Sequence, residues 1–424
     1  MIWESVFATA ALFAGVSAAN MPSGLPVITI PDIPQTTSYD PTVECTSYTV
    51  PGLTIDPTQW PTIWDTATTN GMNTSAEFTA LYNSINWANA PNYPVRTQAN
   101  GALDFTGYDQ NADPDCWWSA SLCTTPKLAG VNADIYKCNE PETWGLTYDD
   151  GPNCSHNAFY DFLQQQQLTA SMFYIGSNVL DWPAGAMRGL KDGHHINVHT
   201  WSHQLMTTLT NQEVLAELYY TQKAIKTVVG VTPLYWRPPF GDVDDRVRWI
   251  ATQLNLTAII WNLDTNDWAA GDSEPIATVE AAYQAYIEMG TNGTFANDGN
   301  IVLTHEIDNT TMSLAMTYVP QIVKAYKNVL DIATCANLSK PYADSDITYA
   351  AFGGSNASTS AAASGSSAAS GSVGGSSSTT GSSSGSAASA GTNNVANASG
   401  AAAFKPATAV FGLVLMAVLG FFAQ

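Results

Sequence analysis

Basic side chains are scarce: 14 Lys and Arg stand against 36 Asp and Glu in 424 residues, a formal net charge of −22. A phosphate backbone would be repelled by such a chain, which excludes nucleic acid as a partner and leaves neutral or cationic polymers open. Cysteine is scarce as well. The six present (Cys45, Cys116, Cys123, Cys138, Cys154, Cys335) contain no paired Cys-x-x-Cys metal pattern. An even set of this kind suits three disulfides in an oxidising compartment, although their connectivity is open. Long apolar stretches are confined to the two ends.

Those ends read as processing segments. "VFATAALFAG" followed by the small residues "VSAAN" is expected to be a signal peptide over residues 1–19, although its start carries Glu4 and no Lys or Arg. Residues 352–403 are almost wholly Ser, Gly, Ala, Thr and Asn. Such a tract has no apolar side chains to offset the entropy of ordering, and reads as a flexible stalk open to O-glycosylation. The apolar segment 404–424 follows small residues and a short spacer, the pattern of a GPI signal attached near Asn394 to Gly400. A retained membrane span is the alternative, and the lack of a basic anchor after Lys405 argues against it. Asn-x-Ser/Thr acceptors at Asn73, Asn153, Asn255, Asn292, Asn309, Asn337, Asn356 and Asn397 fit a glycosylated surface protein of a eukaryote. The expected route is secretion through the ER to a GPI-anchored position at the plasma membrane and cell wall.

Between the ends, residues 20–143 are rich in Pro, Thr, Asn and aromatics, weakly periodic, and hold four of the cysteines. They read as an irregular, disulfide-pinned N-terminal extension. From Trp144 to about Lys340 the texture changes. Short apolar runs ("WGLTY", "TASMFYI", "HHINVH", "PLYWRP", "LTAIIWNL", "GNIVLTH") alternate with helical stretches ("DDRVRWIATQLN", "SEPIATVEAAYQAYIEMG", "TYVPQIVKAYKNVL"). One helix, Thr210 to Val229, opens with a capping box of Thr210 and Glu213 and ends at Gly230. Strand alternating with helix predicts an α/β domain with a parallel sheet, most simply closed into a barrel whose active site gathers at the strand C-termini.

The strand ends carry the chemistry. Asp149 and Asp150 follow "LTY", and like charges so placed need something to compensate them. His199 and His203 follow "HHINV" with a spacing that sets both rings on one face of a helical turn. Arg237 to Gly241 follow "LYW", Asp264, Asp267 and Trp268 follow "IIWNL", and Thr304 and His305 follow "IVL". His194 and His195 are expected to be structural, and His156 to cap a helix.

In order, "TYDDGP", "HTWSH", "RPPFG", "DTNDW" and "LTH" resemble the five motifs of the polysaccharide deacetylases, carbohydrate esterase family 4, and are most similar to the fungal chitin deacetylases. The resemblance covers roughly half of the chain. Tyr148 and Phe240 stand where the family often has Phe and Tyr, and "GHHINVH" replaces its usual glutamate-bearing run. The resemblance implies a distorted (β/α) barrel. It implies that Asp150, His199 and His203 hold one divalent ion, zinc first, with cobalt or manganese also accommodated. Asp149 would be the general base, paired with Arg237, and His305 the general acid, oriented by Asp267. Phe240, through its backbone N–H, would help to stabilise an oxyanion. Trp268 and Leu303 would wall the acetyl methyl, and the aromatics Trp201 and Trp236 would stack on sugars. Cys138 would pair with Cys335. The implied activity is hydrolysis of N-acetyl groups of chitin by a monomer, giving chitosan and acetate. The alternatives are an O-acetyl glycan esterase such as an acetyl xylan esterase, and a non-catalytic glycan-binding wall protein.

Overall fold

The computed structural model describes residues 38–344. The expected leader, stalk and anchor segments, with Asn356 and Asn397, lie outside the described residues. Among the described residues no helix is long and apolar enough to cross a membrane.

From Thr143 onward, short strands alternate with helices. The strands are β1 (Thr143–Gly145), β2 (Thr147–Gly151), β3 (Ser171–Tyr174), β4 (His195–Val198), β5 (Tyr235–Trp236), β6 (Thr257–Ala258), β7 (Leu263–Asp264), β8 (Asn300–Leu303) and β9 (Asn328–Leu330). The principal helices around them are α1 (Asn157–Gln165), α2 (Gly176–Asp181), α3 (Pro183–Lys191), α4 (Asn211–Val229), α5 (Asp245–Thr252), α6 (Ile276–Met289) and α7 (Asn309–Ala325). Two sheets form, in the orders β9-β1-β8-β7 and β2-β3-β4-β5-β6. All their pairings are parallel. The strands β3, β4 and β8 are buried along their whole length, as expected where helices cover a parallel sheet, and they bury the polar residues Ser171, His195, Asn197 and Asn300 with their apolar ones.

The expected barrel is distorted, because strand pairing is not continuous around a ring. β1 and β2 are two stretches of one strand interrupted at Leu146, and the chain likewise passes from β6 to β7 through residues 259–262, so each sheet hands a strand to the other. A backbone bridge between Asp149 and His305 ties the sheets together again.

Local chemistry sets the helix ends. α4 has the expected capping box on Thr210 and Glu213, and ends at Gly230 in the left-handed region (φ 91°). "TYVPQIVKAYKNVL" is not one helix, however. α7 runs through Pro320 and stops at Ala325; the amides of Lys327 and Asn328 then donate to Glu142 O (3.1 and 3.3 Å), and the chain enters β9 beside β1. His156 occupies the residue before α1, but its side chain caps nothing there. Its Nδ1 lies 2.8 Å from Asn153 O instead.

The N-terminal extension shares the barrel's core. Val50, Trp60, Ala67, Met72 and Phe78 belong to the same buried cluster as the apolar residues of β2, β3, β4 and α4. Each such large apolar side chain contributes about 1.5–3 kcal/mol on burial. Cys45–Cys154 fastens the extension to the loop after β2, Cys116–Cys123 closes a short loop, and Cys138–Cys335 joins the start of the barrel to its end.

Candidate active site

Alternation along a strand would send adjacent side chains to opposite faces. The aspartate pair escapes this because β2 bulges: Asp150 takes a left-handed conformation (φ 70°) and the register with β3 shifts between Asp149 and Gly151. Both carboxylates then face His199, with Asp149 Oδ2 3.8 Å and Asp150 Oδ1 3.2 Å from its Nε2. Glycine at the next position leaves room for the buried Glu306 side chain, whose Oε1 lies 1.7 Å from where a Cβ on Gly151 would stand.

Asp149 is buried and makes an ion pair with fully buried Arg237, whose Nη1 donates to Oδ1 at 2.7 Å. Arg237 also donates to Thr147 Oγ1 (2.9 Å) and Ile259 O (3.2 Å), and lies 4.1 Å from the centroid of the Phe173 ring. Removing either partner of a buried pair leaves the other charge uncompensated, at a cost of about 3–5 kcal/mol.

His199 and His203 do not lie on a helical turn. The segment is a bend in which Thr200 (φ 64°) and His203 (φ 55°) are left-handed, and this geometry rather than helical spacing brings their rings to 5.0 Å. His199 Nδ1 sits 2.8 Å from Arg237 O. A carbonyl only accepts, so the ring proton is on Nδ1 and the Nε2 lone pair faces the aspartates. His203 Nε2 lies 3.2 Å from Asp150 Oδ1, and its ring packs against that of Phe240 at 4.7 Å. Burial, only partly offset by Asp150, pulls His203 down to about 4, so that its ring is neutral. Burial works against charge on Asp150 too, and it takes positive charge beside it, on the imidazoles of His203 and His199 or on a cation that they share, to hold the carboxyl below its ordinary range.

These three residues fit a divalent cation. Their ligand atoms lie within 4.8 Å of one another, and Asp150 Oδ1 is buried without a hydrogen bond. Two acceptors, Asp150 Oδ1 and His199 Nε2, face each other at 3.2 Å. A cation between them reconciles that contact, and a carboxylate with two imidazole nitrogens is a zinc-type donor set.

Across the cleft, the backbone bridge sets His305 beside Asp149: Asp149 N donates to Thr304 O and Glu306 N to Asp149 O, each at 3.0 Å. His305 Nδ1 lies 2.6 Å from Asp267 Oδ1, and its backbone N–H donates to Asp267 Oδ2 at 2.9 Å. Burial alone would lower the pKa of His305. Asp267, helped by Asp150 and Asp149, overrides burial and raises it to about 10.

Around these groups, Phe240 and Trp268 are 58% and 47% exposed, while Leu303 is buried at the end of β8. Trp201, expected as a sugar platform, is a correction: it is fully buried, stacks on Trp60 at 6.1 Å, and donates from Nε1 to Thr62 O (3.1 Å). Trp236 is fully buried as well. His194 accepts from Ala170 N (3.1 Å) and His195 Nδ1 meets Ser171 Oγ (2.9 Å). Burial lowers both rings to about 3 and leaves them neutral within the framework. Asn255, Asn292, Asn309 and Asn337 are exposed and Asn73 half-buried. Asn153 is half-buried, with its amide engaged between Ile307 O and Ser155 N.

Three buried acids near the site escaped sequence reasoning: Glu217 on α4, Asp242 after "RPPFG", and Glu306 next to His305. Burial raises Glu306 well above the usual carboxylate range, and its Oε1 accepts from Tyr160 OH at 3.1 Å. Glu217 had a readable sign, being an acid set among the buried apolar positions Val214, Leu215 and Leu218 of an amphipathic helix.

Residues 136–259 match the family model described as polysaccharide deacetylase. The chain is 68% identical over 318 residues to the chitin deacetylase of Amylomyces rouxii, covering 74% of this chain and 75% of that one. It is 50% identical over 316 residues to chitin deacetylase 2 of Cryptococcus neoformans var. grubii, covering 73% and 69%. Among solved structures, the chitin deacetylase of Colletotrichum lindemuthianum aligns with a TM-score of 0.46 at 24% identity, over 50% of this chain and 96% of that one.

Proposed function

The chain belongs to the polysaccharide deacetylases, and from that premise we propose that it hydrolyses the acetamide groups of N-acetylglucosamine units in chitin, releasing acetate and leaving free amines. The observation that carries this reading is the convergence on one cleft of three separate devices: the Asp149–Arg237 pair, the Asp150, His199 and His203 cluster, and the His305–Asp267 pair.

Asp150, His199 and His203 would hold a divalent cation, which would supply Lewis acidity toward water and the acetamide carbonyl. Asp149 takes the proton from the attacking water as the oxygen–carbon bond forms. Arg237 holds Asp149 in place and supplies its counter-charge. His305, charged through Asp267, gives its proton to the sugar nitrogen as the carbon–nitrogen bond breaks. Phe240 and Trp268 offer exposed aromatic surface to the sugar, and Leu303 an apolar wall to the acetyl methyl.

Three disulfides and exposed Asn-x-Ser/Thr sites support a secreted protein of the cell surface. The GPI anchor belongs to the same proposal, and release from membranes by a phosphatidylinositol-specific phospholipase tests it. The substrate is tested by offering the full chain N-acetylglucosamine oligomers and acetylated xylan side by side. Acetate from the oligomers supports chitin. Acetate from xylan alone would replace the reading by an esterase, and binding of either without hydrolysis by a glycan-binding role.

A further inference from the structure

The turn carrying His199 and His203 has one internal hydrogen bond, from His203 N to Thr200 Oγ1 (3.2 Å). Two of its residues are left-handed and no helical ladder runs through it, so something outside has to hold it. Part of that support comes from the start of α2, where Gly176 N donates to Thr200 O (2.9 Å) and Ser177 Oγ to Trp201 O (2.7 Å); the rest comes from one carboxylate. Glu217 on α4 is fully buried. Its Oε2 accepts from the backbone N–H groups of Trp201 and Ser202, both at 2.8 Å. Its Oε1 accepts from Ser202 Oγ (2.7 Å) and from the backbone N–H of Ala67 (2.9 Å). Three of the four donors lie between the two histidines, and the fourth comes from the N-terminal extension. Trp60 and Thr62 of the extension meet the same turn through Trp201.

The loop carrying Phe240 repeats the device. Asp242 is fully buried. Its Oδ1 accepts from Trp117 Nε1 (2.9 Å) and Ser119 Oγ (2.8 Å), both in the extension. Its Oδ2 accepts from Thr207 N (2.9 Å) and Thr207 Oγ1 (2.7 Å), shortly after His203. Trp118 N donates to Val243 O at 2.9 Å, and the Trp118 ring fills the space where a Cβ on Gly241 would stand. A buried carboxylate with four donors makes charge-assisted bonds that fix geometry as well as energy.

We propose that Glu217 and Asp242 are positioning residues through which the N-terminal extension sets the geometry of the His199–His203 turn and of the Phe240 loop. The extension is then part of the catalytic apparatus rather than an accessory layer. The inference rests on the reading of Asp150, His199 and His203 as a metal centre. Support behind metal ligands typically controls affinity by about 10–100-fold.

The test uses the full chain carrying Glu217→Gln, Ser202→Ala or Trp117→Phe, with zinc transfer to a chelator, steady-state kinetics and thermal unfolding all measured. Glu217→Gln turns an amide NH₂ toward N–H donors, and is expected to weaken zinc retention by about 10–100-fold. Ser202→Ala removes one donor of the four, and gives a smaller loss in the same direction should the first variant fail to fold. Trp117→Phe keeps an aromatic ring, though a smaller one, but loses the donor to Asp242, and raises KM for N-acetylglucosamine oligomers several-fold with kcat little changed. Lower unfolding temperatures with wild-type zinc retention and wild-type KM in these variants would overturn the proposal. Wild-type protein that holds no zinc would overturn the metal-centre reading itself, and this inference with it.

Discussion

Two histidines at the ends of two strands, His199 after β4 and His305 after β8, are held in the same way by oxygens of opposite character. Each has its Nδ1 engaged by an oxygen, at 2.8 Å for His199 and 2.6 Å for His305. In the first the oxygen is a neutral carbonyl, that of Arg237; in the second it is the carboxylate of Asp267. The carbonyl fixes the tautomer and leaves Nε2 as a lone pair beside Asp150, a ligand position. The carboxylate favours the charged ring, the form that the proposed general acid needs. Under the proposed mechanism, what lies behind each imidazole is what separates the metal ligand from the acid.

That contrast can be broken from either end. The largest effect is expected where the two halves meet. Asp149→Asn should lower kcat by about 10²–10⁴-fold through loss of the base, and should also lower thermal stability, since Arg237 is left buried without its counter-charge. On the ligand side, His203→Ala should cut zinc affinity, measured by competition with a chelator, and chelation of the wild type should abolish acetate release until zinc is restored. On the acid side, Asp267→Asn tests the cause of the raised pKa. His305 is protonated below its pKa, which is raised to about 10, so the wild type keeps its acid through neutral and mildly alkaline pH and loses activity only as pH rises through that value. Removing the charge of Asp267 should move this alkaline limb to lower pH by about 1–3 units, and a limb that stays in place would show that Asp267 does not tune His305. The smallest effect separates exposed from buried aromatics: Trp268→Ala should raise KM for chitin oligomers several-fold, whereas Trp201→Phe, which loses the bond to Thr62, should leave KM near wild type and lower stability.

Much of this was legible in the sequence because regular elements carry regular signs. The apolar runs and the caps of α4 announced a parallel α/β domain, and polar groups clustered where the strands end. The misses share one physical cause. Local rules assume regular backbone, and the site is built where the backbone departs from it. Alternation placed Asp149 and Asp150 on opposite faces, but the left-handed Asp150 reunites them. Helical spacing explained the His199–His203 pair by the wrong geometry. Trp201 read as an exposed aromatic because nothing in "HTWSH" shows that Trp60, far away in the chain, stacks on it. The bonds that Glu217 and Asp242 accept from residues 67, 117 and 119 are long-range and irregular, so no periodicity could have announced them. "TYVPQIVKAYKNVL" misled for the converse reason: its apolar positions fit a helix, yet pairing with β1 claims its last residues.

The most direct measurement is acetate release from N-acetylglucosamine oligomers by the full chain, stripped of metal and then reloaded with zinc, alongside Asp149→Asn treated in the same way. The account predicts release by the reloaded wild type, and neither by the stripped protein nor by the zinc-loaded variant. Release that persists in the stripped protein, or in zinc-loaded Asp149→Asn at the wild-type rate, would contradict it.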